Sequence, residues 1–184
     1  MGKKDALIIV DMQNDYFPGG RMELDGMDTA AENAGRLLSF FRSEHKHIFH
    51  IQHIAVRKDA GFFVPDSRGV EIHGTLAPLP SEKVITKHYP NGFRDTGLLD
   101  ALKTEGIGQL TICGAMSHMC IDATTRAAFD LGFGCTVVSD ACATRDLAFE
   151  GEPIPAAMVH GAFMSALSPI YAVLKKTREI TASD

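Results

Sequence analysis

Apolar residues recur along the chain in two alternating patterns. Short runs at residues 6–10 (ALIIV), 47–54 (HIFHIQHI), 83–87 (KVITK), 110–113 (LTIC) and 134–140 (GCTVVSD) have the length and β-branched content of buried strands. The segments between them carry helical spacing. Residues 28–44 repeat through Ala31, Ala34, Leu37, Leu38 and Phe41, with Asp28 or Thr29 placed to cap the start. Residues 96–104 predict a shorter helix, and residues 120–131 another that Gly132 stops. Residues 155–175 predict one or two helices interrupted near Ser168-Pro169, and REITAS (178–183) a short terminal strand.

Strands alternating with helices predict an α/β fold in one domain spanning 1–184, its parallel sheet covered on both faces through right-handed crossovers. The pattern breaks once. Residues 55–82 are punctuated by Gly61, Pro65, Gly69, Gly74, Pro78 and Pro80, and a loop this long in a compact domain is usually functional. Phe62 and Phe63 need a surface to cover, which makes the segment a lid.

Composition narrows the class. The 184 residues are 45% hydrophobic and 22% charged, as in an ordinary globular protein, with a net charge of −5 that argues against a nucleic-acid partner. No apolar run approaches the roughly 20 residues of a membrane span, and ALIIV is too short for the core of a signal peptide. Four cysteines (113, 120, 135, 142) show neither C-x-x-C pairing nor zinc-like spacing, so a reduced, cytoplasmic protein is expected. The leading strand is not followed by G-x-G-x-x-G, which removes the dinucleotide-binding reading.

The candidate chemistry centres on QLTICGAMSHMCIDATTRAAFDLG, residues 109–132. A strand ending at Cys113, a break at Gly114 and a tight turn over Ala115 to Met119 place Cys120 at a helix N-terminus, with its thiol exposed at the turn. Unbonded N–H groups and the helix dipole favour an anion there. Cys120 equally reads as a small buried apolar residue. An unperturbed thiol near pKa ~8.5 needs roughly 2 kcal/mol to be mostly ionised at neutral pH, whereas a helix terminus supplies ~0.3–1 kcal/mol. A reactive Cys120 therefore needs a cation or base beside it. Ligands of open parallel sheets sit at the carboxyl ends of strands, and two other reactive residues occupy such ends: Asp11 after the first strand and Lys87 after the third. His45, His47, His50 and His53 invite a metal reading. Strand alternation puts His50 on the opposite face from the other three, and no acidic ligand lies between them, so they read as strand and edge histidines.

Taken together, IIVDMQNDYFPGG, GVEIHGTLAP, ITKHYPNGF, ICGAMSHMCIDATTRAAFDLGF and VVSDACAT resemble, in order and over nearly the whole chain, the isochorismatase-like cysteine hydrolase superfamily. That superfamily includes nicotinamidases and N-carbamoylsarcosine amidohydrolase. The resemblance implies a three-layer α/β/α sandwich around a six-stranded parallel sheet ordered 3-2-1-4-5-6. It implies a catalytic triad of Asp11, Lys87 and Cys120, an oxyanion hole from the backbone amides of Met116 and Cys120, and a cis bond between Ala115 and Met116. It also implies hydrolysis of a C–N bond, amide or ureido, in a small-molecule substrate by a homo-oligomer, dimer or tetramer. The Asp-x-His metal pattern of nicotinamidases falls here on His53 and Ala55 and is broken, so no metal and no cofactor are expected. Tyr16, Phe17, Phe62, Phe63, Tyr89, Phe93 and Met119 are candidate pocket walls, each equally able to be core, and Arg57 and Arg94 candidate carboxylate anchors. Vinyl-ether hydrolysis of the isochorismatase type, and a thiol-responsive binding protein without turnover, are the alternatives.

Overall fold

A computed structural model of the chain describes residues 4–57 and 59–182. The central sheet is built from β1 (Lys4–Val10), β2 (His47–His53), β3 (Lys83–Lys87), β4 (Ile107–Ala115), β5 (Gly134–Ala143) and β8 (Val173–Lys175). All five pairings are parallel, in the order β3-β2-β1-β4-β5-β8. The order reverses at β1, which pairs with β2 on one side and β4 on the other, so the crevice at the carboxyl ends of β1 and β4 is the natural ligand position.

The strands have apolar residues on both faces because helices cover both. On one face, α1 (Met27–Ser43) buries Ala30, Ala31, Ala34, Leu37, Leu38 and Phe41 against Leu7 and Ile9, and Ile180 of α5 (Thr177–Thr181) joins this core. On the other, α2 (Leu98–Thr104), α3 (Asp122–Asp130) and α4 (Ala156–Leu167) pack Leu98, Leu102, Ala128, Met164 and Leu167 against Ala6, Ile8 and Val10. Each fully buried Leu or Phe contributes roughly 1.5–3 kcal/mol by leaving water.

Several expectations move. The cap of α1 is Gly26 at φ 68°, not Asp28 or Thr29, because the helix starts one turn position earlier at Met27. The sixth strand is Val173–Lys175, whereas Arg178–Thr181 of REITAS lie in α5 (its Ser183 lies outside the described residues), where the Glu179 carboxylate accepts from the Lys176 amide at 2.7 Å. The strand VLK directly follows the turn after α4, so the interruption near Ser168-Pro169 ends the helix rather than joining two. A small antiparallel hairpin, β6 (Leu147–Phe149) with β7 (Glu152–Ile154), was not legible.

Away from the crevice, Arg42 of α1 grips Glu82 through Nε (2.7 Å) and Nη2 (2.9 Å), and Nε2 of the buried His50 lies 2.9 Å from the same carboxylate. Burial works against the Glu82 charge, but Arg42, the Leu79 amide and His50 outweigh it and hold the group at about 2, below its ordinary 4.5. A carboxyl lowered by folding contributes stability that is complete above pH 4.5 and is lost as the pH falls toward 2. Denaturant unfolding across a pH series should show the native chain losing roughly 1–3 kcal/mol through this window. Glu82→Gln should be less stable at neutral pH and lack that component of the acid slope; equal slopes would discount the cluster.

Candidate active site

Three strand ends meet in the crevice. β1 runs into Asp11, held at φ 51°, a left-handed conformation that Asp tolerates better than most residues. β3 ends on Lys87. β4 runs two residues further than the apolar run suggested, and a π-helical turn, Ser117–Ile121, then carries Cys120. Gly114, at φ 129°, has no room for a Cβ against the Val10 backbone, so the end of β4 lies tight on β1. That close approach brings the thiol loop over Asp11.

Lys87 must cross a strand to join them, because β2 separates β3 from β1. Adjacent strands lie about 4.8 Å apart, a span that a lysine side chain can bridge and a shorter cation cannot. Its ammonium Nζ sits 2.7 Å from Asp11 Oδ2, 2.9 Å from His53 Nδ1 and 3.2 Å from Cys120 Sγ. An ammonium has three donors and no acceptor, and here three acceptors surround it. Asp11 and Lys87 are fully buried and Cys120 is 3% exposed. The expectation of an exposed thiol at an α-helix N-terminus is therefore corrected: α3 begins only at Asp122, and the thiol is packed beneath the turn.

Electrostatics follow from this burial. Burial would raise the Asp11 carboxyl, but the adjacent Lys87 charge outweighs it and the group stays below its usual range. Burial likewise opposes the Lys87 charge, and Asp11 more than restores it. The Cys120 thiol is pushed far up, first by burial and then by the Asp11 carboxylate, with Lys87 offsetting only part. The resting site is thus a carboxylate, an ammonium and a neutral thiol. Cys113, Cys135 and Cys142 are buried too, and burial pushes Cys135 to about 11 and Cys142 to about 12. A standing excess of thiolate at Cys120, expected from its place in the sequence, is not what the structure provides.

His53 was read as an edge histidine and instead joins the cluster. The register that pairs it with Lys87 across β2 and β3 directs both side chains to one face, and a reading limited to one strand misses it. Asp11, His53 and Cys120 each offer a ligand atom, all within 4.8 Å of one another, yet their shared neighbour is the Lys87 Nζ. A divalent ion needs ligands at ~2.0–2.2 Å and would have to displace the ammonium, so these residues do not fit a metal. His73, in the 55–82 loop, is stacked on Phe17 with centroids 3.7 Å apart.

Two more polar residues went unrecognised. Buried Gln13 donates to the carbonyls of His53 (2.8 Å) and Val70 (2.7 Å) and accepts from the His53 amide (2.7 Å). Buried Asp15 accepts from the amides of Phe63 (2.6 Å) and Arg21 (3.2 Å), and Gly69 fits because a Cβ there would overlap its carboxylate. Together they fasten the 55–82 loop over the crevice.

Beside His53 lies a cavity of about 380 Å³ lined by Ala55, Val56, Phe62, Phe63, His88 and Tyr89 among others. Tyr16 packs behind Phe63 at 4.6 Å. Of the other candidate walls, Phe17 lines a hollow with Asn14 and Arg68, Phe93 stacks on Phe133 at 6.0 Å, and Met119 is 41% exposed. Arg57, at the cavity rim, is already paired with Asp59 (2.8 Å), and the Arg94 guanidinium lies 3.6 Å above the Tyr89 ring.

Residues 5–164 match the isochorismatase domain. The chain is 51% identical over 172 residues to an isochorismatase family protein of Bacillus subtilis, covering 94% of this chain and 96% of that one. It is 32% identical over 156 residues to the streptothricin hydrolase of Streptomyces noursei, covering 83% of this chain and 55% of that one. A crystal structure of an isochorismatase from Pseudomonas putida superposes with a TM-score of 0.90 at 38% identity, covering 97% of this chain and 92% of that chain. With residues 5–164 of its 184 matched by that domain, the chain belongs to the isochorismatase family of hydrolases.

Proposed function

We propose that this protein hydrolyses a C–N bond of a small amide or ureido compound through a thioester on Cys120. One observation carries the reading: a buried ammonium simultaneously touches a carboxylate and a thiol at the sheet's switch point. The streptothricin hydrolase relative lends weight to hydrolysis by this family beyond isochorismate. An intact, positioned thiol favours this reading over vinyl-ether cleavage, which needs no cysteine nucleophile.

The chemistry proceeds from the resting protonation state. Asp11, kept ionised by Lys87, takes the proton of Cys120 as sulfur attacks the carbonyl carbon, and Lys87 stabilises the sulfur's developing charge. The carbonyl oxygen becomes an oxyanion that accepts from the amides of Met116 and Cys120. In support, Met119 and Ile121 direct their amides to the Met116 carbonyl (3.0 and 3.2 Å), skipping the amide of Cys120 between them; the Ala115–Met116 peptide is cis. Asp11 then hands its proton to the departing nitrogen as the C–N bond breaks. Water adds to the thioester, giving its proton to Asp11, and the thiol returns as the acid leaves.

Cys120→Ala should abolish turnover in a screen of primary amides and ureido acids while stability falls by no more than roughly 1 kcal/mol, since a buried sulfur is lost but the fold's polar anchors stay. Retained activity would remove the nucleophile assignment.

Asp11→Asn and Lys87→Met should each cost roughly 10³–10⁶-fold in turnover and combine non-additively. They should move the thiol in opposite directions. Removing the Asp11 charge lowers the pKa of Cys120 and raises its thiolate absorbance at neutral pH; removing Lys87 raises that pKa further. Shifts of the same sign in both variants would contradict the electrostatic account.

Activity should survive dialysis against a chelator, because the ammonium occupies the position a metal would need. One equivalent of tightly held zinc, iron or manganese by elemental analysis, with activity lost on its removal, would reverse this.

A further inference from the structure

The one member of the cluster with a face to the cavity is His53. Its side chain is 19% exposed, against none for Asp11 and Lys87, and it lines the pocket that Val56, Phe62, Phe63 and Tyr89 enclose. Its orientation is held from several sides. Gln13 bonds both its N–H and its carbonyl, and the Phe63 ring lies 5.7 Å away. Its Nδ1 faces the Lys87 ammonium at 2.9 Å.

That contact determines where the ring's proton resides. An ammonium only donates, so Nδ1 must offer its lone pair and the proton of the neutral imidazole belongs on Nε2. The two ring nitrogens diverge, and among the described residues no hydrogen-bond partner takes Nε2. This donor belongs to the partly exposed edge of the ring, and the cavity beside it is otherwise largely apolar, so a ligand there would find it as one of few polar partners. His88 turns its Nδ1 to the Ile54 carbonyl (2.8 Å), and Arg57 is taken by Asp59. His88 Nδ1 and the Arg57 guanidinium are thus engaged elsewhere, and the His53 Nε2–H faces the cavity open to a ligand.

We propose that His53, locked as the Nε2–H tautomer by Lys87, binds the substrate by donating to an acceptor atom next to the scissile carbonyl. The favoured class is then small, flat or slender amides bearing an ether, carbonyl, carboxylate or ring-nitrogen acceptor on the carbon side, with the remainder between the aromatic walls. This rests on the reading of Cys120 as nucleophile for its catalytic meaning, but not for the binding step.

The test therefore uses binding. In uniformly ¹⁵N-labelled native protein, long-range ¹H–¹⁵N spectra of the neutral His53 ring should place its proton on Nε2, and Lys87→Met should release that preference. In Cys120→Ala protein, methoxyacetamide should perturb the His53 Nε2 resonance and bind more tightly than its isostere butanamide. Adding His53→Asn, whose Oδ1 can still accept from Lys87 but whose shorter amide N–H stops short of the Nε2 position, should erase the preference, roughly 3–10-fold for one hydrogen bond. A proton on Nδ1, equal affinity for the two amides, or none for either, overturns the proposal. If instead the preference holds but native protein never acylates Cys120, the donor role stands and the hydrolase reading fails.

Discussion

A single buried ammonium organises this protein's crevice. Lys87 reaches across β2 to contact groups from three other chain segments: Asp11 beyond β1, His53 at the end of β2, and Cys120 in the turn after β4. A cation wholly removed from water is tolerable only when an opposite charge and hydrogen-bond acceptors replace its hydration. Asp11 supplies the charge, and His53 and Cys120 supply the other two acceptors. The same requirement that keeps Lys87 charged also keeps Asp11 ionised and its thiol neighbour neutral, so fold and reactivity share one electrostatic solution. Removing Asp11 or Lys87 would leave the other as a buried charge without compensation.

Holding that solution together requires a rigid rim. Among its described residues, the segment between β2 and β3 has little regular structure: short 3-10 turns at Arg68–Val70 and Gly74–Leu76 and one bridge from Ile72 to Gln13. Two buried polar side chains replace a strand's worth of hydrogen bonds. Gln13 behaves like an extra peptide unit between the β1 loop and the end of β2, and Asp15 pins Phe63 in a left-handed conformation (φ 54°) that an aromatic residue rarely adopts. Phe63 is thereby buried and Phe62 placed at the cavity wall. The loop is less a mobile lid than a fastened cover, because its anchoring bonds are shielded from water and made to the rigid end of β1.

The thiol illustrates how position and environment can disagree. A cysteine near a helix start invites the expectation of a lowered pKa, and the small magnitude of that effect already showed that a partner was needed. The partner is present, but burial and the nearby carboxylate dominate. In the proposed mechanism, thiolate is formed on demand, by transfer to Asp11, rather than stored.

Much of this was legible in the residues alone. The alternation of apolar runs with helical spacing determined a parallel sheet under two helical layers, because a strand apolar on both faces has no other way to leave water. Asp11, Lys87 and Cys120 stood out because strand ends in such sheets are where ligands bind. What the sequence could not express were relations set by register and packing. That His53 lies beside Lys87 depends on how β2 and β3 align, that Phe17 and Phe93 turn to other surroundings depends on which face each loop residue meets, and that Val173–Lys175 becomes the sixth strand depends on a vacant edge beside β5. Local patterns encode which residues prefer burial; the protonation of the thiol and the tautomer of the histidine arise only when distant strands bring a charge to within 3 Å or so, where Coulomb energy outweighs any local preference.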